Sequence, residues 1–209
     1  MNVFYQSILK VLYFFCQIGR GDFGLAIIAL TFLIRLLLLP INLKFQKSQK
    51  EALNFQKEIA QIKEKYKDEK EQLKALIFLY QKRKFNPFSS LFWILIQLPI
   101  LYILYRVFIQ GFRELQVQPF FLGFFDLSKP NFFLASFAGI LQYFQFPSQK
   151  ISSKDPAIRF SNMIQKQMNF FLSLFTFLLL LRFPSALSLY LISNSIFSFF
   201  QNLFFKRYV

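Results

Sequence analysis

Residues 23–43 are apolar almost throughout, and the single charge among them is Arg35. A helix of that length rises roughly 30 Å, enough to cross the hydrocarbon core of a bilayer. Four more apolar runs follow at 88–108, 132–146, 168–182 and 186–205. Between the first two, residues 44–85 reverse the pattern with twelve Lys and Arg against six acids. Within that stretch Phe45, Ser48, Ala52, Phe55, Ile59, Ile62 and Tyr66 recur at three- and four-residue steps, a narrow helical seam. Residues 66–70 read as a turn, after which Leu73, Leu76 and Tyr80 resume the seam on a returning helix. A lone charged helix would leave that seam uncovered, so an antiparallel hairpin outside the membrane is favoured.

Ahead of these, residues 1–19 are moderately apolar, with Gln6, Lys10 and Gln17 interspersed. Lys10 interrupts what would be a signal-peptide core and no small-x-small cleavage site follows, so a helix lying in the interface is preferred over a secretory signal. The sequence therefore predicts an all-α membrane protein with five transmembrane helices. An interfacial helix occupies 1–22, and a cytoplasmic hairpin at 44–86 is inserted into a core of 23–209. A polar loop is expected at 147–165, and a tight reversal at 182–185 joins the last two spans.

Composition agrees with the pattern. Hydrophobic residues make up 55% of 209, with 33 Phe, far more than a soluble domain of this size can bury. The apolar content comes in blocks rather than in alternation, which favours helices over a barrel. One Cys and no His argue against a disulfide framework or a His/Cys metal site. No cofactor or metal is expected. The net charge of +15 fits cytoplasmic loops and anionic headgroups better than DNA. Eighteen Lys and Arg fall in the hairpin, the 147–166 loop and the C-terminal tail, against six on the other side. The hairpin and C-terminus are thus expected in the cytoplasm and the N-terminus outside.

Arg35 is the leading candidate for function. Its guanidinium stays charged, and an arginine deep in a spanning helix costs about 2.5–3.5 kcal/mol on insertion scales. None of the five runs contains Asp or Glu to pair with it. Thr31 lies four residues earlier on the same face.

An arginine-bearing first span, a charged hairpin and four more spans together resemble the YidC/Oxa1/Alb3 family of membrane protein insertases. The matching stretches are T-F-L-I-R-L-L-L-L-P (31–40), N-P (86–87), L-I-Q-L-P-I (95–100), P-F-F-L-G-F-F-D-L-S (119–128), D-P (155–156) and F-P-S-A-L-S-L-Y-L-I-S-N (183–194). They cover nearly the whole chain. The match is to a short form, beginning at the interfacial helix without the extra N-terminal span and large periplasmic domain of some members. Leu191 stands where the family often has an aromatic, and no long basic tail precedes the end at Val209.

The resemblance implies a multi-pass protein of the bacterial inner membrane that is not an enzyme. It would guide hydrophobic segments of nascent membrane proteins through a hydrophilic groove centred on Arg35, without nucleotide hydrolysis. Thr31, Gln97, Gln142, Tyr190 and Asn194 would join it. Each has a plainer alternative: a bond to its own backbone for Thr31, interhelical contacts for Gln97, Gln142 and Asn194, and ordinary packing for Tyr190. Partners would be membrane lipids and, through the hairpin and loops, the ribosome, signal-recognition machinery and Sec translocon. The rival reading is a small channel or secondary transporter with Arg35 as an anion site, although no internal repeat is present.

Overall fold

The computed structural model describes residues 2–66, 68–83, 89–114, 117–145 and 156–205. Among them lie α1 (Asn2–Ile18), α2 (Phe23–Leu37), α3 (Leu39–Lys65), α4 (Glu69–Arg83), α5 (Ser89–Glu114), α6 (Phe132–Gln145), α7 (Pro156–Leu180) and α8 (Ser185–Phe205). A two-stranded antiparallel ribbon, β1 (Phe120–Phe121) and β2 (Phe125–Asp126), pairs Phe120 with Asp126 and Phe121 with Phe125. The chain is thus mostly helical, not wholly so.

The first apolar run is not one helix. α2 ends at Leu37, and Leu38 closes it by donating its N–H to the Ile34 carbonyl at 2.9 Å. Pro40 has no N–H to offer the next carbonyl and its ring crowds that turn, so the ladder restarts as α3. The 147–165 loop is also shorter than expected. Helix α7 begins at Pro156, where a proline with its fixed φ and absent N–H suits a first helical turn. Residues 146–155, the N-P at 86–87, Asp155 and the tail at 206–209 lie outside the described residues. Among those described, no single helix is long and apolar enough to cross a membrane, but α2 together with 39–48 passes as a broken pair. Helix α8 spans 21 residues and carries Ser185, Ser188, Ser193, Asn194, Ser195, Ser198, Gln201 and Asn202 along them.

The chain forms two compact units. One comprises α1, α2, the β1–β2 ribbon, α6 and α8, with α5 from Ile96 and α7 from Phe170. Here α8 packs against both α2 and α6, and α1 against α2. Their shared core includes Leu12, Cys16, Phe23, Ile27, Leu30, Leu104, Phe108, Leu127, Leu180 and Tyr190. Small residues at the contacts, Ala26, Ala135, Ala138 and Ala186, let the backbones approach closely. Gly139 serves the same end, since its carbonyl accepts the Ser173 hydroxyl at 2.6 Å. Away from the core, Phe133, Phe137, Ile140 and Phe144 of α6 and Phe171, Phe175 and Leu178 of α7 are exposed, a face suited to lipid.

The other unit holds α4 with the remaining parts of α3, α5 and α7. Gln72 of α4 donates its side-chain amide to the Lys63 and Tyr66 carbonyls at 3.3 and 3.4 Å. Phe55 of the expected seam is buried, as are Ala60 and Leu79, whereas Leu73 is 60% exposed. The side chains of Phe45, Ala52 and Tyr80 lie outside those described.

Candidate functional site

Asp22 fixes where α2 begins. Its Oδ1 accepts the Leu25 N–H at 3.0 Å, an N-cap, and its Oδ2 accepts the Leu122 N–H of the ribbon at 2.7 Å. Two carboxylate oxygens thus tie the start of α2 to the β-turn. Two residues on, Gly24 lies against Phe121 so closely that a Cβ there would come within 2.5 Å of Phe121 Cβ. Helix α8 starts at the same end. Ser185 and Ala186 donate their backbone N–H groups to the Lys129 and Leu127 carbonyls at 3.0 and 3.1 Å, and the Ser185 hydroxyl donates to the Asp126 carbonyl at 3.0 Å. Donors that a helix start leaves orphaned are thereby satisfied by the ribbon and the loop after it.

From this common start α2 and α8 run alongside each other, and Arg35 lies near their other ends. Buried residues of α2 include Phe23, Ala26, Ile27, Leu30, Thr31 and Arg35, steps of three and four that put the arginine on the face turned inward. Arg35 is 8% exposed. Its Nε donates to Asn194 Oδ1 at 2.7 Å, Nη2 to the Asn194 carbonyl at 2.9 Å, and Nη1 to Gln201 Oε1 at 3.1 Å. These bonds use three of the five guanidinium donors. All three acceptors are neutral, so these described partners hold the charge in place without cancelling it.

Beside the guanidinium opens a cavity of about 400 Å³, lined by Phe32, Arg35, Leu36, Leu39, Phe197, Phe200, Gln201 and Phe204. Most of these side chains are apolar. Among the described residues this cleft is mainly apolar, with Arg35 and Gln201 its two polar lining residues.

Of the six sequence candidates, Arg35 and Asn194 are brought into direct contact. Tyr190 is buried one helical turn before Asn194 and lies near enough to Arg35 to interact electrostatically. Thr31 is buried and donates its hydroxyl to the Ile27 carbonyl at 2.7 Å, a bond within its own helix. Gln142 is half-buried on α6 and is not part of the cavity lining. Gln97 falls within α5, and its side chain lies outside those described. Gln201 is the residue sequence reasoning missed. The signal was its seven-residue spacing from Asn194, which places both on one face of α8 two turns apart. Nearby, the Ser195 hydroxyl and Gln145 Oε1 of α6 lie 3.2 Å apart in a hydrogen bond. Among the described residues no cluster of His, Cys, Asp or Glu is suited to hold a metal ion.

Residues 14–209 match the family described as "60Kd inner membrane protein". Among similar proteins, "Membrane protein insertase YidC" of Pelobacter propionicus is 32% identical over 90% of this chain and 36% of its own length. The protein of the same name from Francisella tularensis subsp. novicida is 36% identical over 90% of this chain and 33% of its own. The chain thus spans about a third of the length of these relatives. A crystal structure of an active YidC insertase with its first transmembrane domain resolved superposes with a TM-score of 0.64, at 26% identity, covering 96% of this chain and 46% of that one.

Proposed function

The chain belongs to the 60Kd inner membrane protein family, that of the YidC/Oxa1/Alb3 insertases, and from that premise we propose that it is a membrane protein insertase working through the Arg35 site. The observation that carries the reading is a buried arginine held, among the described residues, by neutral acceptors, beside a cavity large enough for several side chains. An uncancelled cation in low dielectric attracts a carboxylate far more strongly than one in water. A polar or acidic tail of a nascent protein entering beside Arg35 would exchange part of its hydration for that charge and for the Gln201 amide, lowering the cost of bringing it into the bilayer. The aromatic side of the cleft would receive the apolar segment that follows. Transfer of that segment into lipid supplies the driving force, so no nucleotide is required. The membrane potential adds about 2.3 kcal/mol per charge per 100 mV when the tail is acidic.

In this reading the protein spans the bilayer five times, with its N-terminus outside and its C-terminus in the cytoplasm. The α3–α4 segment forms an antiparallel cytoplasmic hairpin, where its lysines meet lipid headgroups and the ribosome, signal-recognition or Sec machinery. The test is reconstitution in liposomes with a single-span client bearing a short acidic tail. Protease protection of the tail should depend on the protein, be lost on Arg35→Ala and be retained in part on Arg35→Lys, which keeps charge but not the fork geometry. Insertion indifferent to the protein, accompanied by small-anion flux, would sink the reading in favour of a channel.

A further inference from the structure

The β1–β2 ribbon breaks the usual chemistry of its own turn. Leu122 and Gly123 sit at the centre with φ of 52° and 74°, and the Phe124 N–H closes the turn on the Phe121 carbonyl at 3.1 Å. Two successive left-handed residues ask for Asn-Gly or Asp-Gly. Here a leucine takes the first place, a strained choice for a large side chain. Leu122 is 56% exposed and Phe124 85%, with the Cβ direction of Gly123 open as well. A water-facing loop would gain from a polar residue at each of these positions. Local rules broken in this way mark places where the surroundings demand something else.

What surrounds the tip is informative. Asp22, which holds the Leu122 N–H, follows Ile18 by four residues, and Ile18 is 65% exposed at the end of α1 beside exposed Phe14. Beyond β2, Phe132 and Phe133 open α6 at 62% and 78% exposure. Among the described residues, Arg20, Lys129 and Arg182 are exposed cations at this end. Apolar tips interspersed with exposed cations suit the boundary between acyl chains and phosphate headgroups.

We propose that the Leu122–Phe124 tip is a membrane anchor, dipping into the lipid interface at the end of the bundle where α2 and α8 begin, with Arg20, Lys129 and Arg182 on the headgroup phosphates. The inference rests on the reading of this chain as a bilayer protein. It does not depend on what the Arg35 site accepts. A lipid surface is the occupant because the tip continues the exposed apolar faces of α1 and α6, and because Arg20, Arg182 and Lys129, the last also paired with Asp126 at 3.1 Å, stand exposed beside it. The left-handed Leu122 is held by Asp22 so that both flanking side chains project away from the protein.

The test uses the full chain with Trp93→Phe and Phe124→Trp, so that the tip carries the only tryptophan, reconstituted in phosphatidylglycerol-containing vesicles. Emission should be blue-shifted and largely lost when the lipid acyl chains are brominated, while aqueous iodide has little effect. Red-shifted emission quenched by iodide and untouched by bromolipid would overturn the proposal by placing the tip in water. Blue-shifted emission that neither quencher reaches would overturn it by placing the tip against protein, a second copy included. Leu122→Trp in the same background provides an independent reading with the same three outcomes. The assay contains no client, so its failure leaves the insertion experiment intact, and the reverse also holds.

Discussion

Helices α2 and α8 are treated differently at their two ends. Where they begin, polar groups are matched: Asp22 caps α2 and holds Leu122, while the 127–129 carbonyls and Asp126 take up the donors of α8. Gly24 lets Phe121 close over that end with no room for a Cβ. Towards the other end the same pair leaves a cavity, and the described acceptors of the charge beside it are neutral. One end is closed and the other opens onto a cavity. On the insertase reading proposed above, this asymmetry would leave the cleft open on one side without any moving part.

The largest expected effect comes from forcing the closed end open. Gly24→Val places a branched side chain where Phe121 already is, and Phe121 cannot yield at its Cβ without moving β1. The cost should reach about 3 kcal/mol, the upper part of the overpacking range. A clear drop in unfolding midpoint in mixed micelles checks it. An unchanged midpoint would show that the ribbon is not packed on α2 and would erase the contrast between the two ends.

Next in size is the receiving end. Asn194→Leu removes the Oδ1 acceptor and leaves Arg35 with a desolvated donor, a loss of about 1.5–3 kcal/mol for a bond to a charged group. The contrast is sharpened if Asn194→Leu impairs client insertion more than its stability loss explains, measured against a core variant of equal stability. Equal impairment in both would reduce Asn194 to a packing residue.

The sequence made Arg35 and Asn194 legible because a charge or an amide in an apolar run has few innocent explanations. The boundaries of α6 and α8 were legible for the same reason, since Asn131 and the 182–185 reversal punctuate apolar blocks. Three features were not. The break at Leu38 hides inside an unbroken apolar run, and Pro40 suits a helix start as readily as a stop. The pairing of Gly24 with Phe121 depends on a contact between residues far apart in the chain, which no periodicity encodes. The apolar walls of the cleft come from phenylalanines that look like lipid-facing bulk until α8 is placed beside α2. Only the tertiary arrangement separates Phe197, Phe200 and Phe204, which line the cavity, from the many others.

Asp22→Ala should cost about 1–2 kcal/mol as a lost N-cap, since its Oδ1 bond to Leu25 goes. Its Oδ2 bond to Leu122 goes with it, so the ribbon should loosen more than α2 does. Hydrogen exchange at the Leu122 amide, read against that at Leu25, separates the two losses. Asp22→Asn keeps one acceptor and should fall between. If Asp22→Ala speeds exchange at Leu25 but not at Leu122, the carboxylate is a simple cap and the closed end is held by Gly24 and Phe121 alone.

The smallest effect is a pH response confined to one end. Hydrogen bonding from the Ser128 hydroxyl, reinforced by the Ser128 N–H and Lys129, holds the Asp126 carboxyl below its ordinary value of 3.8. A carboxyl with a depressed folded pKa contributes stability above its unfolded pKa, and that contribution fades as pH falls through the folded one. Acid below about pH 4 should therefore loosen the ribbon and the start of α8, where the Asp126 carbonyl also accepts Ser185. Among the described residues the Arg35 end offers no carboxyl: the bonded partners Asn194 and Gln201 are amides. Protection factors at the Ser128 and Ser185 amides, corrected for the intrinsic pH dependence of exchange, should thus fall in acid while that of Asn194 is unaffected, and Asp126→Asn should flatten that response. A parallel acid response at Asn194 would mean that the two ends are coupled, and that opening one opens the other.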